Sequence, residues 1–259
     1  MPLRITPAQR GFTLIELAIV MFIVSLLIGG MLLPLSAQMD IRNYGDTQKI
    51  LADARDALLG YAMANDRLPC PASATSNGQE SPVGGGACTN PYDGFFPAAT
   101  LGLAPVDAQG YLLDGWGGES VHRVHYAVTK VQGTNATTVI PSVFTTTSGM
   151  RNIGMTALTP DLQICTTGVN VNTLTPDTAT CDVGKALATD AVAVVYSLGK
   201  NAGTGGTSTD EQHNPNPQTA VASDRAFVSA PQSTTFDDQM LWLSKNTLFN
   251  RMVAAGKLP

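Results

Sequence analysis

The chain has 259 residues, with 15 Lys and Arg against 20 Asp and Glu and a formal net charge of −5. This length allows one domain with a sizeable core, or at most two small domains. The acidic balance argues against nucleic-acid binding, which normally needs a basic surface. Only 14% of the residues are charged, and the abundant Thr, Ser, Asn and Gly suit a β-rich domain outside the cytoplasm.

An apolar run begins at Phe12 and reaches Leu35, and Glu16 is the only charged residue between Phe12 and Asp40. At ~1.5 Å rise per residue, a helix of this length spans the roughly 30 Å hydrocarbon core of a bilayer. No cleavage site such as Ala-x-Ala closes the run, so it differs from a secretory signal peptide. An ionised carboxylate within it is costly unless paired, so Glu16 either has a partner inside the membrane or marks a function.

Residues 11–17, Gly-Phe-Thr-Leu-Ile-Glu-Leu, resemble the processing site of type IV prepilins and of the pseudopilins of type II secretion. In that family, prepilin peptidase cuts after the Gly and methylates the new N-terminal Phe. The resemblance implies these roles for Gly11 and Phe12, with residues 1–11 as a prepilin leader. It also implies that Glu16 neutralises the N-terminal amine of a neighbouring subunit during assembly. The alternative is an ordinary single-pass anchor with a chance Glu.

Cleavage after Gly11 creates an ammonium group at Phe12, four residues from Glu16 and on the same helix face. The sequence leaves open whether this pair forms within one chain or between two. Arg4 and Arg10 precede the apolar run, and no further Lys or Arg occurs before Arg42. The positive-inside rule therefore places the N-terminus in the cytoplasm and the rest of the chain outside.

A long N-terminal helix is predicted over residues 12–66. Residues 12–35 are its transmembrane part, which becomes the filament core, and residues 38–66 are amphipathic because apolar side chains recur at three- and four-residue steps. Gly29-Gly30 and Pro34 predict a kink or a melted segment, with a helix boundary at the membrane face as the alternative. The cluster Leu68-Pro69-Cys70-Pro71 ends the helix.

The four Cys residues form two close pairs, Cys70 with Cys88 and Cys165 with Cys181. Outside the cytoplasm, such pairs are expected to form disulfides, each closing a short loop and contributing ~3 kcal/mol. A single four-Cys metal site is the alternative, although neither pair has the spacing that zinc sites favour. The loop between residues 72 and 95 has too few apolar residues to order itself through core burial.

Residues 67–259 are predicted to form an extracytoplasmic β-rich globular domain. The alternation of Val124, Tyr126 and Val128 predicts a half-buried strand, and the β-branched run within residues 189–198 predicts a central strand buried on both faces. Further extended segments are predicted at 138–146, 152–158, 162–166, 225–229 and 237–243, and a helix at 245–255. The fold class is therefore α+β, with the long N-terminal helix packed on an antiparallel β-sheet, as in pilins.

A looser similarity to major pseudopilins extends into this domain. It rests on Leu68-Pro69, on Asp114-Gly115-Trp116-Gly117 and on the Tyr126 that follows, whereas the long Thr-rich insert over 133–184 is a departure. Major pseudopilins bind calcium after a Ser-Leu-Gly strand end, through carbonyls and Asp side chains, and Ser197-Leu198-Gly199 resembles that element. The resemblance implies a calcium site with hard oxygen donors, formed by Leu198, Asp210, Asp237 and Asp238, with Glu211 also available. The alternative is a solvated loop in which Asp237 or Asp238 caps a helix.

Nothing in the sequence predicts catalysis or a required cofactor. His122 and His125 are three apart in an extended segment, so their side chains are expected on opposite faces. Ser197 lacks the Gly-x-Ser-x-Gly setting of a nucleophile elbow. The glycines over 203–206 lack the Lys that follows a phosphate-binding loop. We therefore expect a protein that is not an enzyme.

The expected function is that of a structural subunit of a type IV pilus-like filament: a pilin, a minor pilin or a pseudopilin. The resemblance implies self-association into a helical filament, and interaction with prepilin peptidase, an inner-membrane assembly platform and, before assembly, membrane lipid. The precursor is then expected in the inner membrane with a periplasmic globular domain, and the mature subunit in an extracytoplasmic or cell-surface filament. The alternative is a membrane-anchored adhesin or binding protein that does not polymerise.

Overall fold

The computed structural model describes residues 11–258 apart from 135–138, 173–174, 207 and 216–222, and it describes residues 30–35 by their backbone alone. Most of the expected leader, residues 1–10, therefore lies outside the described residues. The chain divides into two compact units, Met1–Arg42 and Asn43–Pro259.

Helix α1 spans Leu14–Asn65, and its residues up to Arg42 belong to the first unit. In this unit the apolar side chains from Phe12 to Ile28 are exposed, with values from 42% at Val24 to 89% at Phe12. The helix continues through Gly29-Gly30 and Pro34, so neither a melted segment nor a helix boundary lies there. Among the described residues, no helix combines the length and the hydropathy that crossing a membrane requires.

The part of α1 in the second unit is amphipathic. Thr47, Leu51, Ala54 and Leu58 are fully or almost fully buried, and their steps of four, three and four residues place them on one helix face. These positions belong to the stripe expected from the sequence. The apolar ones join the main hydrophobic core of the domain, so this part of α1 is held by burial of its apolar face.

The described residues form a six-stranded sheet and a separate two-stranded one. The strands are β1 Gly94–Phe95, β2 His125–Val128, β3 Gly133–Thr134, β4 Val139–Ile140, β5 Leu162–Cys165, β6 Ala186–Ser197, β7 Ala226–Val228 and β8 Gln239–Ser244. The order in the main sheet is β1-β2-β6-β5-β7, with β8 also paired to β6, and β3 pairs with β4. Strand β6 pairs antiparallel with β2, β5 and β8.

The sheet differs from the antiparallel one expected from the sequence, because β5 and β7 pair in parallel. A parallel pair needs a long crossover connection. The chain provides it, since β6 and a long loop lie between β5 and β7. The residues of β5 and β7 do not indicate which strand each one pairs with. The sequence pattern therefore could not predict that these two strands run parallel.

The centre of the main sheet is buried on both faces. Val192, Ala193 and Val195 of β6 belong to the core that includes α1, and Val194 and Tyr196 belong to a second cluster. The second half of β6 is thus a central strand buried on both faces, as predicted. Strand β2 was predicted to be half-buried and is buried at all four positions, because the second cluster covers its other face.

Four short α-helices complete the described structure: α2 Ala98–Leu101, α3 Gly149–Ile153, α4 Thr209–His213 and α5 Lys245–Ala254. Helix α5 was predicted, and the Ser244 side chain accepts a hydrogen bond from the Thr247 amide at its start. The strand predicted over 152–158 is wrong, because α3 and a 3₁₀ turn at Met155–Ala157 occupy that segment. Of the strand predicted over 138–146, β4 covers only two residues, and residue 138 lies outside the described part.

Two disulfides join Cys70 to Cys88 and Cys165 to Cys181. This is the pairing expected from the sequence, and no free cysteine is found among the described residues. The alternative of a four-Cys metal site is therefore excluded. The first disulfide closes the Gly- and Ser-rich loop that follows α1, and the second closes the loop between β5 and β6.

Candidate functional site

The start of α1 carries a capping box. The Thr13 amide and hydroxyl both donate to Oε2 of Glu16, at 2.9 and 2.8 Å, and the Glu16 amide donates to Thr13 Oγ1 at 3.3 Å. Such reciprocal bonds satisfy backbone donors that a helix start leaves unpaired. Both donors to the carboxylate reach Oε2, so Oε1 takes no part in the capping box and remains available to another group.

Residues 11–13 precede α1 in non-helical backbone, and their side chains are exposed. A Cβ placed on Gly11 would have no heavy atom within 4 Å. Within the part of the chain that the structure describes, nothing lies against Gly11, and the Gly11–Phe12 peptide bond is not part of a helix.

A family model described as the prokaryotic N-terminal methylation motif matches residues 6–32. The chain carries the type IV pilin and pseudopilin signature. The match supports a pilin-like protein with a prepilin leader and N-terminal methylation, and it suggests a structural role. No curated protein and no solved structure gives a significant match.

Beyond the pilin signature, a second candidate site lies in the globular domain. Carboxylate oxygens of Glu211, Asp237 and Asp238 lie within 4.8 Å of one another. Glu211 belongs to α4, and the two Asp residues directly precede β8. Leu198 and Gly199 follow β6, and a Cβ on Gly199 would lie 2.5 Å from Asp237 Oδ1. The strand end, the helix and the loop before β8 therefore meet at one place.

The composition of this cluster differs from the set expected from the sequence. Asp237 and Asp238 belong to it. Asp210 instead accepts bonds from the Thr167 hydroxyl and the Gly168 amide, both at 2.7 Å. Because neighbouring side chains of α4 point in different directions, Glu211 and not Asp210 contributes the third carboxylate. The short α4 was not predicted, and without it the choice between the two could not be made.

Neutral donors hold the carboxylates in place. The amides of Lys200 and Asn201 donate to Asp237 Oδ2 at 2.9 and 3.3 Å. The Asn201 side chain donates to both oxygens of Glu211 at 3.2 Å, and Asn214 donates to Asp238 Oδ2 at 2.7 Å. These bonds fix the positions of the acidic groups.

Burial and mutual repulsion disfavour the ionised forms of the two Asp carboxylates in this cluster. Burial, together with the charge of Glu211, raises the pKa of Asp237 to about 6. Burial also raises the pKa of Asp238 well above its ordinary value, although the bond from Asn214 opposes this. Asp237 Oδ1 is buried and has no hydrogen-bond partner among the described residues. An unpartnered, buried carboxylate oxygen beside two other carboxylates fits a hard cation such as calcium, which takes oxygen ligands.

Neither Asp residue caps a helix. Ser244 is the N-cap of α5, and Ser208 is the N-cap of α4, where it accepts from the Glu211 amide at 3.1 Å. The alternative of a capping Asp237 or Asp238 is therefore wrong.

Of the residues considered for catalysis, Ser197 and His125 are buried and His122 is half-buried. The fully buried Ser197 donates to Asp114 Oδ2 at 2.6 Å, so it does not present a nucleophile. Nδ1 of His122 lies 3.7 Å from the same oxygen, and this carboxylate raises the pKa of His122. The His125 ring stacks on Tyr196, with 5.0 Å between ring centroids. The sequence analysis did not single out Asp114 itself. The one signal that could have identified it was its place in the Asp-Gly-Trp-Gly segment.

Proposed function

We propose that the chain is a structural subunit of a type IV pilus-like filament and that prepilin peptidase cleaves it between Gly11 and Phe12. The methylation motif over residues 6–32 carries this proposal. The open, non-helical backbone at Gly11 supports it, because a protease binds an accessible peptide bond more readily than a helical one.

The exposed apolar side chains between Phe12 and Ile28 supply the driving force for assembly. A large apolar side chain gains roughly 1.5–3 kcal/mol when it moves from water to a fully buried site. In our proposal, these side chains lie in the inner membrane before assembly and among the helices of neighbouring subunits afterwards. The inner-membrane assembly platform transfers the subunit from one environment to the other, with the globular domain in the periplasm and then on the filament surface.

Glu16 determines how far neighbouring helices are shifted along one another in this packing. Thr13 holds Oε2 in the capping box, and Oε1 accepts the N-terminal ammonium of a neighbouring chain. A carboxylate in an apolar environment is costly unless paired, so the pairing favours one arrangement of neighbouring helices over others.

The acidic cluster is proposed as a calcium site. Glu211, Asp237 and Asp238 supply carboxylate oxygens, and the Leu198 carbonyl is the backbone ligand. When bound, calcium supplies positive charge among three carboxylates that otherwise repel one another. The site is structural, and its expected effect is to fix α4 and the loop after β6 against the start of β8.

The N-terminus of the full-length chain, purified from membranes that contain prepilin peptidase, tests the filament proposal. The intact mass and the N-terminal peptide should show a chain that begins at methylated Phe12. Gly11→Val is a matched control, because a Cβ at this position meets nothing within 4 Å, so the variant should fold normally and remain uncleaved. A wild-type chain that still begins at Met1 contradicts the proposal and leaves the anchored adhesin or binding protein.

A further inference from the structure

We propose that Asp114 is a positioning residue for the calcium site and that it joins this site to α1 through a continuous set of hydrogen bonds. This inference rests on the calcium site proposed above. The set runs from Asp237 through the loop after β6 to Ser197, then to Asp114, and then to Thr47 on α1.

The first part of the set fixes the loop that supplies the backbone ligand. Asp237 Oδ2 accepts bonds from the Lys200 and Asn201 amides. On the other side of the loop, the Gly199 amide donates to Ser197 Oγ at 3.1 Å. The loop that contains Leu198 is therefore held between an acidic ligand and a buried hydroxyl.

The second part depends on the carboxylate of Asp114, whose side chain is 1% exposed. Its Oδ2 accepts the Ser197 hydroxyl hydrogen at 2.6 Å, so a lone pair of the Ser197 oxygen is free to accept from Gly199. Its Oδ1 accepts from the amides of Trp116 and Gly117 at 2.9 and 3.2 Å. The two oxygens thus bind different segments, β6 on one side and the turn over residues 114–117 on the other.

The third part joins this turn to α1. The Gly115 amide donates to Thr47 Oγ1 at 2.9 Å, and the same hydroxyl donates to the Asn43 carbonyl at 2.8 Å. A Cβ on Gly115 would collide with that carbonyl, so the turn lies directly against the helix. Thr47 is fully buried, and water cannot replace these bonds easily.

The consequence is a coupling between cation binding and the order of α1 near Thr47. Calcium fixes Asp237 and the loop after β6, and the bonds through Ser197 and Asp114 transmit that order to the turn. A ligand that orders one segment lowers the cost of ordering a segment bonded to it. By reciprocity, a firmly docked helix should strengthen calcium binding.

Hydrogen–deuterium exchange of the full-length chain tests the coupling, with calcium chloride or with a chelator. Calcium should slow exchange of peptides covering residues 43–51 at least threefold. Thr47→Val removes the last link and leaves the cluster intact, so the slowing over 43–51 should be lost while calcium still binds, weakened by no more than about the same threefold factor. Asp114→Asn should weaken calcium binding about tenfold and also abolish the slowing, because an amide cannot accept from both segments.

The control variant is Glu119→Gln, which removes an exposed acidic side chain five residues from Asp114 and should behave as the wild type. Ser197→Ala gives a second route if Asp114→Asn does not fold, and it should lose the same slowing. Calorimetry with calcium chloride keeps the two proposals apart. If calcium does not bind, the calcium site is wrong and this inference falls with it. If calcium binds and exchange over 43–51 is unchanged, the site stands and the coupling is wrong.

Discussion

The guanidinium group of Arg67 holds the carboxylate of Glu80 through two bonds, Nη1 to Oε2 at 2.7 Å and Nη2 to Oε1 at 2.6 Å. The two side chains are only 7% and 5% exposed. Oε2 of Glu80 also accepts from the Cys70 amide at 3.2 Å, and Oε1 accepts from the Gly84 amide at 3.1 Å. This one carboxylate therefore ties Arg67, which lies just after α1, to Cys70 and Gly84 of the loop that the first disulfide closes.

Glu80→Gln should destabilise the domain strongly. The variant leaves Arg67 as a buried cation without its counter-charge, and removing one partner of such a pair typically costs about 3–5 kcal/mol. Urea unfolding of the full-length chain measures the change. Asp56→Asn is the control, because it breaks the Arg55–Asp56 pair, whose side chains are 39% and 68% exposed. Exposed pairs contribute about 0–1 kcal/mol, so equal effects of the two variants contradict this prediction.

The same pair should make stability depend on pH in the acid range. Burial alone raises the pKa of Glu80, but the bonds and charge of Arg67, with the Cys70 and Gly84 amides, outweigh it, and the pKa is lowered. A lowered carboxyl pKa gives stability that is present above the unfolded value of about 4.3 and is lost as pH falls through the folded value. Thermal melts between pH 7 and pH 3 should show this loss in the wild type and a smaller one in Glu80→Gln. Parallel curves for the two chains rule it out.

The two disulfides should contribute similarly to stability, because they close loops of similar length. Cys70 and Cys88 are 18 residues apart, and Cys165 and Cys181 are 16 apart. Loops of this size correspond to about 3 kcal/mol each in the chain-entropy model. Denaturant unfolding of the Cys70→Ala/Cys88→Ala and Cys165→Ala/Cys181→Ala chains measures both effects. A difference of more than about 2 kcal/mol between them shows that contacts within one loop dominate over closure entropy.

Local patterns in the sequence predicted the elements whose residues determine them directly. The three- and four-residue steps of Leu51, Ala54 and Leu58 predicted the amphipathic part of α1, and the β-branched run predicted β6. The Cys spacings predicted both disulfides. Each of these signals lies within a short segment, so no knowledge of distant neighbours was needed.

The missed features depend on contacts between distant segments. Arg67 and Glu80 are 13 residues apart, and the sequence does not show that both are buried. Ser197 meets Asp114 across 83 residues, which only the pairing of the strands brings about. The choice of Glu211 over Asp210 depended on a helix of five residues, which is too short to give a periodic signal. The parallel pairing of β5 and β7 likewise follows from tertiary packing.

Gly199→Ala should weaken calcium binding. Gly199 has a φ of 66°, and a Cβ there would lie 2.5 Å from Asp237 Oδ1, which is the unpartnered oxygen of the cluster. Gly184→Ala is the matched control, since Gly184 has a φ of 72° but nothing within 4 Å of an added Cβ. It therefore shares the backbone strain without the collision.

Thermal melts with calcium and with a chelator distinguish these two variants. A ligand at 100 times its dissociation constant adds about 2.7 kcal/mol, so calcium should raise the melting temperature of the wild type and of Gly184→Ala. The calcium-dependent rise should be much smaller for Gly199→Ala. An equal rise in all three chains means that Asp237 Oδ1 is not a ligand, and no rise in any of them removes the calcium proposal.

Glu16→Ala should abolish filament assembly without preventing cleavage, because the scissile Gly11–Phe12 bond lies before the helix and does not contact the Glu16 side chain. Thr13→Val should have a weaker effect, since it removes the hydroxyl bonds of the capping box and keeps the bond from the Thr13 amide to Glu16. Loss of an N-cap side chain costs about 1 kcal/mol. Ser25→Ala is the control, because the Ser25 hydroxyl donates to the Phe22 carbonyl of its own helix. Electron microscopy of sheared filaments, with N-terminal mass analysis of the membrane fraction, separates assembly from processing. Wild-type filament yields from Glu16→Ala would show that its carboxylate does not pair with a neighbouring amine.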